Sequence, residues 1–222
     1  MGADKALLRL PSGGPTLIER TVAAARAAGA SDVVIVARAG QPLPAIVGVR
    51  VVADETPGAG PLAGLATGLA ARGHDTVLAL ACDLPYLSVP LLRWMATAAT
   101  AATDERDGWD TLVPRLPSDE NPEGWEPLHA LYTRDCLPAI RAALARGERR
   151  MTALFAHLRV RPLAADAMRP YDPALRSTQS VNTPEAWAEA ARWLSARDAA
   201  ILPPVENGQE SQRHGDTKKA VS

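Results

Sequence analysis

Val33-Val34-Ile35-Val36-Ala37 is an unbroken apolar run of mostly β-branched residues, and it follows a helical pattern that stops at Gly29. A strand with one wet face would alternate apolar and polar side chains, so this run predicts a strand covered on both faces. The preceding stretch, Thr16 to Ala28, sets Leu17, Ile18, Val22 and Ala25 on one side of a helix. The same alternation recurs downstream. Val49 to Ala53 reads as a strand, about Leu62 to Ala71 as an Ala/Leu/Gly-rich helix, and Thr76 to Ala81 as a third buried strand. Val89 to Ala101 reads as a helix with Pro90 in its first turn, where a missing N–H costs nothing. Helix and strand in alternation predict βαβ units on a mostly parallel sheet with helices on both faces.

The second half is less regular. Leu112-Val113-Pro114 and Leu128 to Tyr132 read as short strands forming an antiparallel margin of that sheet. Helices are expected at about Leu137 to Ala145 and Met151 to His157, a strand near Leu158 to Arg161, and a last helix at Glu185 to Ala196. Asn182-Thr183-Pro184 opens that helix as a capping residue followed by proline in the first turn. Residues 1–202 are expected to form a single domain. Residues 203–222, almost free of apolar side chains, read as a disordered tail.

Composition excludes several classes of function. The 24 Lys and Arg nearly cancel the 25 Asp and Glu, so no overall field draws the chain to nucleic acid or to a membrane surface. No apolar run approaches the roughly 18 residues of a membrane span, and the first 20 residues lack the core of a signal peptide. A cytoplasmic protein is expected. Cys82 and Cys136 suit free thiols and are too few for a disulfide scaffold or a cysteine-rich zinc site.

Ligands in open α/β sheets bind beyond the carboxyl ends of the strands. Asp54 and Asp83 stand at such ends. In ALACDLPYL a dry strand leads straight to Asp83, a carboxylate placed either to hold a hard cation such as Mg²⁺ or merely to cap the turn. Gly58-Ala59-Gly60-Pro61-Leu62-Ala63-Gly64 joins a strand to a helix. It offers backbone N–H groups to a phosphate, or else serves as a flexible turn with close helix packing at Gly64 and Gly68. It lacks the Gly-Lys-Ser/Thr ending of a Walker loop and the spacing of GxGxxG. Lys5 alone is a solvated lysine, and His129 in EPLHALY reads as a packed strand histidine. His74 and His157 stand alone, and Arg146 to Arg150 is a solvated helix end or an anion contact. No Ser/His/Asp or Cys/His nucleophile constellation can be assembled.

Taken together, MGADKALL, TLIERTV with VVIVA, VVADETPGAGPLAGLATGL, LALACDLPYL, EPLHALY, RGERRM and VNTPEAW resemble the molybdenum cofactor guanylyltransferases. The resemblance covers about residues 1 to 196. It implies a Rossmann-like, three-layer nucleotidyltransferase fold and transfer of GMP from GTP to molybdopterin, with Mg²⁺ as cofactor and pyrophosphate as product. It also implies a monomer with GTP and molybdopterin as partners, and molybdoenzymes or other cofactor-biosynthesis proteins beside them. By position in the motifs, Lys5 offsets charge on the nucleotide phosphates, Asp54 contacts the nucleotide side, and Asp83 binds Mg²⁺ and orients the attacking phosphate. Gly58, Gly60 and Gly64 shape the same cleft, and Asn182 faces the pterin half, with Ser180 where a further asparagine is common. The family opens with a strand and a loop of the form LAGGxSxRMGxDK, whereas this sequence begins at the Met of RMG. The expectation is a start placed too far downstream or a shortened chain, inactive as it stands, with the function belonging to the complete protein. The alternatives are a cytidylyl- or other nucleotidyltransferase of this fold and a non-catalytic, cofactor-binding remnant.

Overall fold

The computed structural model describes residues 4–71, 74–101, 108–119 and 121–201; Met1 to Ala3 and the tail at 203–222 lie outside the described residues. In chain order the elements are α1 (Leu17–Ala27), β1 (Val33–Ala37), β2 (Val49–Ala53), α2 (Pro61–Ala70), β3 (Thr76–Leu80) and α3 (Val89–Ala101). Then come β4 (Thr111–Pro114), β5 (His129–Thr133), α4 (Cys136–Ala145), β6 (Val160–Leu163), the short α5 (Ala165–Met168) and α6 (Pro184–Ile201). A 3-10 turn at Lys5–Leu7 precedes α1, and the segment expected as a helix near Met151 is a 3-10 turn, Thr152–His157. No helix among the described residues is long and apolar enough to cross a membrane.

The expected three-layer α/β architecture is present, and side-chain alternation along the strands builds it. In β3, β5 and β4, Val77, Ala79, Ala130, Tyr132 and Val113 turn to one face and pack with Leu62, Leu65 and Leu69 of α2 and Leu137 and Ile140 of α4. Their neighbours Leu78, Leu131 and Leu112 turn to the other face, against Leu91 and Met95 of α3 and Met168 of α5. In β1, Ile35 and Ala37 pack on Ile18 and Val22 of α1.

Strand directions are mostly parallel. β1 and β2 pair in parallel, Val33 to Ala37 opposite Val49 to Ala53. A second sheet has the order β3-β5-β4-β6, in which β4 and β6 are parallel and β5 is antiparallel to both neighbours. The reversed strand therefore lies inside the sheet, between β3 and β4, and not at its outer margin. Strand order is set by long-range pairing, which apolar periodicity does not encode.

No hydrogen-bonded ladder joins β1 to β3, so each has one edge without a strand partner among the described residues. This explains a departure from the expected double coverage. Thr76 of β3 is exposed and its other four residues are only half-buried, while β1 has three half-buried residues and two buried ones. The helices bridge the two sheets: α1 packs on α3, and α2 on α4.

Candidate active site

Lys5, Asp83 and Asn182, far apart in sequence, meet beyond the carboxyl end of β3. Lys5 Nζ lies 3.0 Å from Asp83 Oδ2 and also donates to Asn182 Oδ1. Each residue is held by its own local structure. The turn carrying Lys5 is capped by Asp4, whose Oδ1 accepts from Ala6 N at 3.1 Å. Asp4 Oδ2 in turn accepts from Gln41 Nε2 at 2.6 Å and pairs with Arg38 at 3.6 Å, which ties the turn to the segment following β1. The loop before α6 is pinned to Asp83 through Val181 N, which donates to the Asp83 carbonyl at 3.0 Å. Asn182 Nδ2 donates to Ser180 Oγ at 2.8 Å.

Asn182 is not the cap of α6. Thr183 takes that place, accepting from Ala186 N through Oγ1 at 3.1 Å, and so leaves the Asn182 amide free to join the cluster. The Asp83 carboxylate likewise does more than cap a turn, since its recorded partner is the Lys5 ammonium. Beside it, burial and the neighbouring carboxylates of Asp83 and Asp4 push the Cys82 thiol up to about 11. Cys82 is therefore protonated at neutral pH and is no nucleophile.

Asp54, Gly58, Gly60 and Gly64 form a separate group with no hydrogen bond or ion pair to the Lys5 cluster. Asp54 Oδ1 accepts from Thr56 N at 2.9 Å and so shapes the start of the glycine loop. Gly58 and Gly60 both have φ of 81°, a left-handed conformation that side chains rarely adopt. Gly60 precedes Pro61 at the start of α2, and no side chain caps this helix; Pro61 has no N–H and Ala63 N donates to the Gly60 carbonyl at 3.1 Å, so Leu62 N–H is the group of this first turn left open to an anion. A Cβ at Gly64 would meet nothing within 4 Å, so close packing is not what that glycine provides. The turn at Arg146 to Arg150 abuts this loop, with the Arg149 carbonyl 3.6 Å from a Cβ built at Gly60. Glu148 accepts from the backbone N–H groups of Arg149 and Arg150, both at 2.9 Å, and pairs with the Arg150 side chain at 3.5 Å, while the Arg149 side chain is exposed.

His129 is a packed histidine. Its Nε2 lies 2.8 Å from Ser177 Oγ, and desolvation pulls its pKa down to about 4, so it is neutral at physiological pH. Ser177 Oγ also accepts from Ser88 N at 2.9 Å, which ties β5, the start of α3 and the loop before α6 together.

A model of the MobA-like NTP transferase domain matches residues 1–162. The chain belongs to this family. It is 36% identical over 188 residues to the "Probable molybdenum cofactor guanylyltransferase" of Chloroflexus aggregans, covering 83% of this chain and 84% of that protein. It is 39% identical over 161 residues to the protein of the same name from Opitutus terrae, covering 71% and 72% respectively. Among solved structures, the molybdopterin-guanine dinucleotide biosynthesis protein A of Archaeoglobus fulgidus superposes with a TM-score of 0.69 at 22% identity, covering 88% of this chain and 92% of that one. The 2-C-methyl-D-erythritol 4-phosphate cytidylyltransferase of Thermus thermophilus gives 0.60 at 20%, covering 86% and 94%. These two likenesses establish the nucleotidyltransferase fold, and the family together with its curated relatives makes the chain a member of the NTP transferases.

Proposed function

We propose that this protein transfers GMP from GTP to molybdopterin, forming the guanine dinucleotide cofactor and releasing pyrophosphate. The observation that supports this most directly is the meeting of Lys5, Asp83 and Asn182, drawn from positions 78 and 177 residues apart. In the proposed reaction the molybdopterin phosphate attacks the α-phosphorus of GTP, a new P–O bond forms, and the bond to the leaving pyrophosphate breaks. Such transfers depend on alignment and charge neutralisation more than on a protein nucleophile. Lys5 Nζ, released from Asp83, would neutralise nucleotide phosphate oxygens. The open start of α2, with Gly58, Gly60 and Gly64, would receive phosphate through backbone N–H groups, with Asp54 holding the loop in shape. Asn182 would orient the acceptor from the other side of Asp83.

The donor set fits Mg²⁺ of the kind that arrives with phosphates. Among the described residues no group of three or more His, Cys, Asp or Glu side chains converges on one point. Mg²⁺ commonly takes only one or two carboxylates and completes its shell with substrate phosphates and water. Asp83 is the carboxylate that would hold it, and the ion would supply charge neutralisation at the reacting phosphates.

The test is pyrophosphate release by a purified form that carries the family's LAGGxSxR loop upstream of Met1, with molybdopterin, Mg²⁺ and each of GTP, CTP, UTP and ATP. Release that needs both substrates and favours GTP at least about 10-fold is expected. Equal use of the four nucleotides, or no release with any, would overturn the reading.

A further inference from the structure

An open cleft of about 250 Å³ lies beside Asp83, on the side of the loop preceding α6. Its walls include Asp83 and Leu84 after β3, Glu126 and His129 at the start of β5, and Thr178 and Ser180 of the loop. Pockets for drug-sized ligands run to roughly 300–1,000 Å³, so this cleft has room for one fused ring system and not for a dinucleotide. Its charge is one-sided. No Lys or Arg lines it, its histidine is neutral, and of its two carboxylates Asp83 is paired with Lys5 from outside the lining, which leaves Glu126 as the one without a cationic partner. Such a lining rejects phosphate and favours a ligand edge that donates hydrogen bonds.

Glu126 is aimed and half-used. Its Oε1 accepts from Asn121 Nδ2 at 3.2 Å, while Oε2 has no hydrogen-bond partner among the described residues. Asn121 is itself fixed, donating to the Trp125 carbonyl at 3.3 Å and accepting from Gly124 N at 3.1 Å. Burial without a neighbouring base pushes the Glu126 carboxyl above its ordinary range, a penalty that paired donors would offset. Ser180 Oγ accepts from Asn182, so its own proton remains free for a ring carbonyl.

We propose that Glu126 is a specificity-determining residue that reads the amino and ring N–H donors of a 2-amino-4-oxopyrimidine edge, and that the ring held in this cleft is the pterin of the acceptor. The inference rests on the proposed function for the identity of the acceptor. Guanine carries the same donor pair, and placement decides between the two sources. The cleft is lined by the Ser180 loop, and neither the glycine loop nor the start of α2 contributes to it. With its ring beside Glu126, the acceptor spans Asp83 to bring its phosphate toward Lys5.

The test is a titration of the full chain with 6-hydroxymethylpterin, followed by quenching of pterin fluorescence. Its 2,4-dioxo analogue 6-hydroxymethyllumazine and guanosine serve as comparators. Lumazine replaces the amino donor with a carbonyl acceptor, so the wild-type protein should bind it at least about 10-fold more weakly than the pterin. In Glu126→Gln the pterin affinity should fall by about 10-fold or more, while the melting temperature and GTP affinity stay unchanged. Equal binding of pterin and lumazine by the wild type would overturn the proposal without recourse to any variant. So would absence of pterin binding, or a Glu126→Gln loss confined to guanosine. A GTP preference that fails while these pterin results hold would overturn the proposed function and leave the cleft assignment standing.

Discussion

Replacing Lys5 with alanine separates the stability of the site from its use. Lys5 and Asp83 lie 3.0 Å apart with side-chain exposures of 30% and 20%. At an effective dielectric of about 20 the bare attraction at that distance is about 5–6 kcal/mol. Both groups keep contact with water, however, and the lysine must be ordered, so the pair's net worth is about 1 kcal/mol or less. In Lys5→Ala the Asp83 carboxylate hydrates in place, and Tm should fall by no more than about 4 °C. Ligand binding has a different scale. A phosphate oxygen that takes Nζ from Asp83 gains a charge-assisted hydrogen bond worth about 1.5–3 kcal/mol. The variant should therefore bind GTP about 10- to 100-fold more weakly, as read by isothermal titration in Mg²⁺. Unchanged GTP affinity would refute the placement of Lys5 on the phosphates, and a Tm loss far beyond 4 °C would make it a structural residue.

Asp83→Ala should lower pyrophosphate release at least about 100-fold while leaving the melting curve near that of the wild type, and normal turnover would remove Asp83 from the metal role. Asp110 accepts from Arg159 N at 2.7 Å and Arg159 Nη2 at 2.6 Å, and these bonds hold its carboxyl below the ordinary range. The stability this pair contributes is thus full above the usual Asp pKa and is lost as pH falls through the lowered folded value. The Tm gap between wild type and Asp110→Asn should accordingly close below about pH 4, and a gap that persists into acid would refute the linkage. Gly124→Ala should cost at least about 2 kcal/mol, because φ is 72° and the new Cβ would meet Pro117 N at 2.3 Å; denaturant unfolding with no shift in midpoint would count against that geometry. In hydrogen exchange, amides of β5, paired on both sides, should be the slowest, and those on the unpartnered edges of β1 and β3 fast; equal protection would mean that those edges are covered.

Local chemistry made several elements legible with their boundaries. Val33–Ala37, Val49–Ala53 and Val89–Ala101 fall where their apolar runs and flanking breakers set them. Thr16 caps α1 through a reciprocal bond with Glu19, a device confined to four consecutive residues. Illegible features are those decided elsewhere in the chain. β5 is inserted between β3 and β4 by pairings that no window of sequence contains. α6 runs beyond Ala196 to Ile201, and on that added stretch Asp198 meets Arg20 of α1 at 2.6 Å. Asn182 carries a residue type suited to helix capping, and only the geometry of Thr183 shows that it is free for another purpose.

The same division runs through the site. Lys5 has no local signature at all; the family motif assigns it to the nucleotide phosphates, and its pairing with Asp83 is seen only in the side-chain geometry. Asp83 was conspicuous because an ionised group ends an apolar strand, which costs free energy unless something outside the strand rewards it. Glu126 gave no such signal, since a carboxylate ahead of Pro127 in a polar loop is unremarkable by composition. It becomes informative only once the Ser177–His129 contact draws the loop before α6 over β5 and closes a cleft around its unpaired oxygen. Residues that act on phosphate can be inferred from strand ends and glycine loops, because the fold presents those places in sequence order. Residues that read a ring are set by which loops happen to face each other, and for this chain that depends on a buried, uncharged histidine that takes no part in the chemistry.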